Sequence, residues 1–538
     1  MSAEHRAGPG PSSYSGLGTM LRIVWRTRRR GILIWSLGLA ATMAFTAAAV
    51  AGLYDTPAKI QSYADAVTAG NALKAINGHV EGINSLGGVI QDEFGFLASF
   101  LMPLLGISLV AGSTRREEES GRLEALLAGR ISRRDPVVSA LLVAAAAIAA
   151  TSLLFALALI AVGVPVSGSV LYAVALGALA LVFAGLAAVL AQLTLHSRGV
   201  YAGSLIVLAL SYVLRGVGDV TETWWTWLSP LGWQEKTAPF AGQRWWVLLI
   251  PLVVVGLLSL VAVRLAARRD LGSALVALGP GPATARPGLR RTFGLAAWIH
   301  RPTMLGWLAG GVLLTTMLGA LSRQLVDAIE GNPAMGEALG TTGQDPVLAV
   351  IAMTQLYLAV IATGYVVQAV GVLRGEEADG RLETRLAGTL SRGRWLAAHA
   401  GVVLLGLALV VGGSTLVFAG TAALSLGDGA DTGQIIGSGL AYLPAELVLA
   451  GLALAVYGLR PRWFPIAWAG YAAVAFIAFL GPGLNFRSAV MDLAPTTHVG
   501  NPPVGSVAVV DLVTLSVLAL LLGVVGFWAF RRRGVPQA

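Results

Sequence analysis

Few side chains in this 538-residue sequence could do chemistry, and their spacing narrows what that chemistry is. There is no cysteine, which removes disulfides, thiolate metal sites and cysteine nucleophiles. The six histidines (His5, His79, His196, His300, His399, His498) are scattered, with no His-Glu-x-x-His helix and no paired ligand spacing, so no metal site is expected. The three lysines, Lys59, Lys74 and Lys236, lie outside any glycine-rich loop of the kind that cradles phosphates. A chain built this way is not expected to hydrolyse ATP alone, and no catalytic residue or cofactor is assigned to it. One carboxylate, Glu446, stands beside Pro444 deep in an apolar run with no basic residue near it in sequence. A charge in a membrane span is costly, so Glu446 is either a group on a translocation or proton path or a protonated, hydrogen-bonded structural residue. Gln192, Gln355 and Gln368 are further candidates for the same interior, against the alternative of interhelical packing.

The strongest pattern is a charged stretch that occurs twice. Residues 115–134 and 374–393 agree at 12 of 20 positions at an offset of 259 residues. An internal duplication is the first hypothesis. Leu123, Leu127 and Ile131 recur as Leu382, Leu386 and Leu390 at helical spacing, which predicts a short helix with one apolar edge in each copy. Glu118 with Arg122, and Glu377 with Arg381, are spaced to pair along such a helix. A loop that only secures topology would explain the arginines. It would not explain why Glu-Glu-x-x-Gly-Arg-Leu-Glu is kept with its acids, which favours a docking element.

These stretches must be held by membrane helices. With 56% hydrophobic and 12% charged residues the chain reads as an all-α polytopic membrane protein. Spanning a bilayer takes about 20 helical residues. Such runs fall near 31–52, 94–112, 137–163, 168–195, 199–214 and 246–263, and again near 303–321, 347–372, 396–424, 433–459, 463–481 and 508–530. Residues 1–30 form an N-terminal tail ending in a basic interfacial segment, Leu21 to Arg30. Gly31 to Gly52 resembles a signal sequence but is read as a retained span, cleavage being the alternative. The organisation is therefore 1–30 tail, 31–263 first six-span half, 264–302 cytoplasmic linker, 303–530 second half and 531–538 tail. With both termini cytoplasmic, 30 of the 37 basic residues lie inside with 11 acidic ones, and seven basic and 15 acidic residues lie outside. The net charge of +9 is then topogenic, and no nucleic-acid partner is needed. An even number of spans per half makes the halves parallel repeats. The longest outer loop is Leu53 to Glu93, helical around Ala58 to Ala75.

At the duplicated stretch the chain resembles the permease subunits of type-2 ABC exporters, in particular the fused twelve-span actinobacterial permeases described as polyketide antibiotic or multidrug exporters. The resemblance implies that each stretch is a coupling helix seated in a groove of a separate ATPase subunit, with two copies of that ATPase as partners carrying the ATP and Mg. It assigns this docking to Glu117, Glu118, Gly121, Arg122, Leu123 and Glu124 in one copy. In the other it assigns Glu376, Glu377, Gly380, Arg381, Leu382 and Glu383. Glu119, Ser120 and Leu126 become Ala378, Asp379 and Arg385, so the two contacts are expected to be unequal. It also implies a bacterial cell membrane location, export of a hydrophobic or amphipathic compound, and short re-entrant helices near the outer leaflet before the last span of each half. Residues 219–246 hold six of the fourteen tryptophans, and Leu228-Ser-Pro230 is echoed by Leu493-Ala-Pro495. Trp224, Trp225, Trp227, Pro230 and Pro495 are the gate candidates, with an ordinary aromatic belt as the alternative. Two rival functions remain open: an ion-driven secondary transporter using Glu446, and a membrane scaffold or sensor whose loop 53–93 binds a ligand.

Overall fold

The computed structural model describes residues 16–68, 74, 77–127, 131–275, 284–331, 343, 345–481 and 486–534. Among these residues there is no strand, and twelve helices are long and apolar enough to cross a membrane. The protein is all-α and polytopic, as the apolar runs require, because only internally hydrogen-bonded backbone is tolerated in lipid. The chain divides into two compact units, residues 1–280 and 281–538, with six of these helices in each.

In the first unit the spans are Leu17–Leu53, Leu86–Ser113, Asp135–Ala161, Val166–Leu193, Ser197–Val220 and Leu249–Arg268. The second and fourth are the hub, each with 67% of its apolar window buried, against 17% for the sixth. The sixth span therefore keeps most of its leucine and valine surface for lipid. The basic segment Leu21 to Arg30 is not a separate interfacial element: it continues into the first span as one helix. Its arginines need not leave the helix because Arg28 reaches back to the carbonyl of Gly112 and, at 2.8 Å, to the Glu117 carboxylate. The second and fifth helices also run past the expected limits, so that Asp92, Glu93, Arg215 and Asp219, read as loop charges, lie within helices. In the outer loop a helix covers Pro57–Thr68; the remainder of the expected 58–75 helix falls outside the described residues apart from Lys74.

The second unit contains Thr292–Ala320, Pro346–Ala378, Arg392–Leu426, Thr432–Ala441 with Leu443–Leu459, Pro465–Leu480 and Val509–Arg532. Its fourth span is interrupted at Tyr442, where the first unit's counterpart is continuous. Pro444 explains the break, since it lacks an N–H and its ring opposes the carbonyl four residues earlier. After the break, Leu443–Leu459 packs closely on Val509–Arg532 through small residues. A Cβ at Gly458 would collide with the Gly526 carbonyl, and one at Gly451 would stand 2.7 Å from the Ala519 carbonyl. Such backbone approach is how helices associate where lipid removes the hydrophobic drive. The stretch 264–302 is helical at both ends: the preceding span continues to Arg268, a short 3-10 turn covers Pro287–Arg290, and the next helix begins at Thr292.

Candidate functional site

Each copy of the duplicated stretch is a helix, a left-handed glycine and a second short helix. In the first unit Arg115–Glu119 ends at Ser120, Gly121 takes φ +72°, and Arg122–Leu127 follows. In the second unit the helix Pro346–Ala378 ends at Asp379, Gly380 takes φ +70°, and Arg381–Leu386 follows. A residue with a Cβ is disfavoured at such a φ, which accounts for glycine in both copies. The glycine also overturns the expected ion pairs. Because the helix does not continue through it, Arg122 pairs with Glu117 at 2.9 Å rather than Glu118. Arg381 likewise pairs with Glu376 at 2.8 Å rather than Glu377. Leu123 and Leu382 are the buried members of the apolar edges, while the second short helix stops before Ile131 and Leu390.

The second glutamate of each copy has a different partner, invisible to local spacing. Glu118 receives both terminal nitrogens of Arg269 at 2.8 and 2.7 Å. Glu377 receives both terminal nitrogens of Arg533 at 2.5 Å. Arg269 and Arg533 are the residues that cap the sixth spans of their respective units, Leu249–Arg268 and Val509–Arg532. The same bidentate bond thus ties each loop to the last span of its own unit. Around it the copies diverge. Glu118 also pairs with Arg115 at 3.1 Å and accepts from the Gly272 amide at 2.8 Å, and Gln192 joins this cluster by accepting from Arg269 at 3.2 Å. Glu377 instead accepts from the Tyr457 hydroxyl at 2.9 Å. Glu119 accepts from the amide and hydroxyl of Ser197 at 2.9 and 2.7 Å, capping the fifth span, a bond its counterpart Ala378 cannot make. Arg385, where the first copy has Leu126, turns back to Glu376 at 2.8 Å. The acids assigned to docking are therefore largely engaged within the chain. The side chains of Arg122, Glu124 and Arg381 are exposed, Gly121 is exposed, Gly380 is intermediate and Glu383 is half-buried.

At the other end of the first unit lies a buried ionic cluster that sequence reasoning missed. Arg215 donates to Glu235 at 2.9 Å and to the Asn77 carbonyl at 3.2 Å, and stands 4.0 Å from Asp219. Nearby, the Tyr63 hydroxyl bonds Asp92 at 2.7 Å and Glu93 at 2.8 Å. Asn77 donates to Asp92 at 3.1 Å. Burial pushes the Glu235 carboxyl well above its ordinary range, with Arg215 opposing that rise and Asp219 adding to it. Glu235 closes the helix Pro230–Lys236, whose first turn is capped by Ser229 and opened by Pro230. The run Leu228-Ser-Pro230 and its echo each begin a short helix, the second being the 3-10 turn Pro495–Val499. Trp224 and Trp225 are exposed, and Trp227 stacks on Trp246 at 6.0 Å. The missed signal was the run of acids and one arginine flanking apolar stretches, which reads as loop charge.

Glu446 is fully buried, and both its carboxylate oxygens lack a hydrogen-bond partner. None of the three glutamines is hydrogen-bonded to it. Gln355 is buried and donates to the Ile435 carbonyl at 2.8 Å, bracing the interrupted fourth span. Gln368 is exposed and accepts from Trp307 at 2.7 Å, and Gln192 belongs to the Glu118 cluster of the first unit. The second unit also has a cavity of about 910 Å³ among its second, third, fourth and sixth spans. Its wall is apolar, with Leu447, Leu454, Leu520 and Phe527, and Arg531 and Arg532 stand on its rim. No group of three or more potential metal-ligating side chains occurs among the described residues.

Twelve apolar spans define a multi-pass α-helical membrane protein. The family described as multidrug efflux system permease Rv1217c, C-terminal domain, matches residues 17–267 and 289–531, one stretch in each unit. The multidrug efflux system permease protein Rv1217c of Mycobacterium tuberculosis (strain ATCC 25618 / H37Rv) is 34% identical over 542 residues, covering 99% of this chain and 98% of that protein. The chain belongs to this family of efflux permeases, and its place is the plasma membrane.

Proposed function

We propose that this chain is the transmembrane subunit of an ATP-driven type-2 exporter that moves hydrophobic or amphipathic compounds out of the cell, two copies of a separate ABC ATPase docking on residues 115–127 and 374–386. The observation that carries this reading is the repeated bond from Glu118 to Arg269 and from Glu377 to Arg533. Each loop is a preformed element fixed to a membrane span, so a push on the loop passes to the span without first ordering the loop. A loop serving topology alone would need its arginines and not a buried bidentate pair. The relative's name, multidrug efflux permease, and the apolar cavity of about 910 Å³ support the substrate class.

The docking surface is the exposed side of each loop, with Arg122 and Glu124 in one and Arg381 in the other. Charge reversal at Glu118 and Glu377 would break the loop's anchor, so the informative variant is Arg122→Glu with Arg381→Glu. Co-expressed with the ATPase, it is expected to lose ATPase copurification and ATP-dependent transport while remaining folded, with only a small drop in melting temperature from the lost surface pairs. Unchanged association and transport would overturn the docking role. The partnerless Glu446 favours a second reading, an ion-driven transporter. Uptake into proteoliposomes driven by a pH gradient without ATP, abolished by Glu446→Gln, would establish that reading in place of the first.

A further inference from the structure

The duplication exposes one place where the second unit lacks a group that the first unit carries. In the first unit the buried Asp135 sits at the start of the third span and accepts from the Gly16 amide at 3.2 Å and the Ser132 amide at 2.9 Å. Gly16 is the N-cap of the first span, so a resident carboxylate faces the positive end of that helix. The 259-residue offset puts Arg394 opposite Asp135. In the second unit the first span begins at Thr292 with Arg291 as its N-cap and no side-chain cap. Between the starts of its first and third spans lies a cavity of about 340 Å³.

Arg290, Arg291, Arg385 and Arg394 line this cavity with Thr292 and Trp395, and no carboxylate does. Among the described residues, Arg290, Arg291 and Arg394 have no ion pair, and Arg385 is held by Glu376. Trp395 is only 1% exposed, and its indole N–H has no acceptor. Three exposed guanidinium groups without an ion pair and a helix N-terminus without a side-chain cap line this cavity beside Trp395, where the sister unit holds an anion. Guanidinium forks and helix N-termini both match phosphate oxygens.

We propose that this cavity is a binding site for a phosphate group, with Arg290, Arg291 and Arg394 as its charged donors. The phosphate can be the headgroup of an anionic phospholipid, whose chains would meet Leu289, Leu295 and Leu390 on the wall, or that of a soluble polyphosphate. Bound there, it would supply the charge that Asp135 supplies in the first unit. The proposal is independent of how transport is energised.

The full chain in phosphatidylcholine nanodiscs is titrated with inorganic pyrophosphate by calorimetry, and separately loaded with phosphatidylglycerol and examined by native mass spectrometry. Saturable binding of pyrophosphate identifies a soluble ligand; retention of phosphatidylglycerol alone identifies a headgroup. In either case Arg290→Gln with Arg394→Gln should weaken binding about tenfold or more. Arg394→Asp, which installs the first unit's carboxylate, should abolish binding without lowering the melting temperature. This second variant decides the matter if the first does not fold. Binding of neither probe, or wild-type affinity in Arg394→Asp, overturns the proposal.

Discussion

In the first unit Glu118 sits among Arg269, Arg115 and the Gly272 amide, and Glu119 holds the end of the fifth span. In the second, Glu377 has Arg533 and the Tyr457 hydroxyl, and the position of Glu119 is an alanine. The loop-to-span bond is common to both units while its supports differ. The ends remote from the loops differ more: the first unit has the ionic cluster around Arg215, the second a lone Glu446 and an interrupted span. A feature retained through such divergence marks what both halves must do. The features that diverged mark where each half can have its own task.

The largest expected effect comes from breaking the common bond. Removing one partner of a buried pair costs about 3–5 kcal/mol because the other charge is left unmatched. Glu118→Ala strands Arg269 and Arg115 together, so its cost should lie in that range. Glu377→Ala strands Arg533, which is more exposed than Arg115, and should cost less. Thermal unfolding of the purified variants tests this ranking. Equal losses would mean that the extra bonds in the first unit contribute nothing.

Next comes a contrast between two buried glutamates. Glu446→Leu removes a carboxyl that has no partner and should stabilise the protein by about 1–3 kcal/mol. Glu235→Leu leaves Arg215 without its 2.9 Å partner and should destabilise it. A loss of stability in Glu446→Leu would show that the carboxyl has a structural partner after all. Glu235 also gives a pH dependence with a definite sign. Its folded-state value is raised above the ordinary 4.5, so the folded protein holds a proton that the unfolded chain releases. Stability from this group is complete below that ordinary value and is lost as pH rises toward the raised one. Melting temperature should therefore fall with rising pH in this window, and Glu235→Gln should flatten the slope.

Most of the helical scaffold was legible in the sequence, because apolar runs long enough to span a bilayer have few other solutions. The duplicated loops were legible too, as charged stretches of matching spacing. Their internal bonding was not. Gly121 and Gly380 interrupt the periodicity on which the Glu118–Arg122 and Glu377–Arg381 pairs were inferred. The actual partners, Arg269 and Arg533, lie 151 and 156 residues further along the chain. Asp92, Glu93, Arg215 and Asp219 were read as loop residues because isolated charges are expensive in a span. Mutual pairing and the Tyr63 and Asn77 donors lower that cost, and pairing of this kind exists only in three dimensions.

The two glycines give a smaller and more symmetrical effect. Both have φ near +70°, so Gly121→Ala and Gly380→Ala should each cost about 1 kcal/mol. Nothing lies within 4 Å of a Cβ built at Gly121, which leaves backbone strain as the cause there. A D-alanine introduced by semisynthesis at Gly121 should be tolerated. If both L- and D-alanine are neutral, the left-handed turn is not what shapes the loop.

The smallest effect on stability should come from the exposed arginines, and it bears most directly on how the two loops differ. Arg122→Glu disturbs one pair, with Glu117, and Arg381→Glu two, with the buried Glu376 and with Asp379; with the arginine exposed in each, every such pair is worth within about 1 kcal/mol. Their effects on ATPase association need not match. The first loop is fixed by Glu117 to Arg28 and by Glu119 to Ser197, in addition to Glu118. A loop held at more points has less conformational freedom to lose on docking, so more of its contact energy remains as affinity. On the proposed function, Arg122→Glu should therefore weaken ATPase binding more than Arg381→Glu does, measured by titrating purified ATPase onto each variant in nanodiscs. If Arg381→Glu is equally or more damaging, the additional bonds of the first loop do not make it the principal contact. The advantage would then have to come from the second loop's own substitutions, Asp379 and Arg385, which pair with Arg381 and Glu376 respectively.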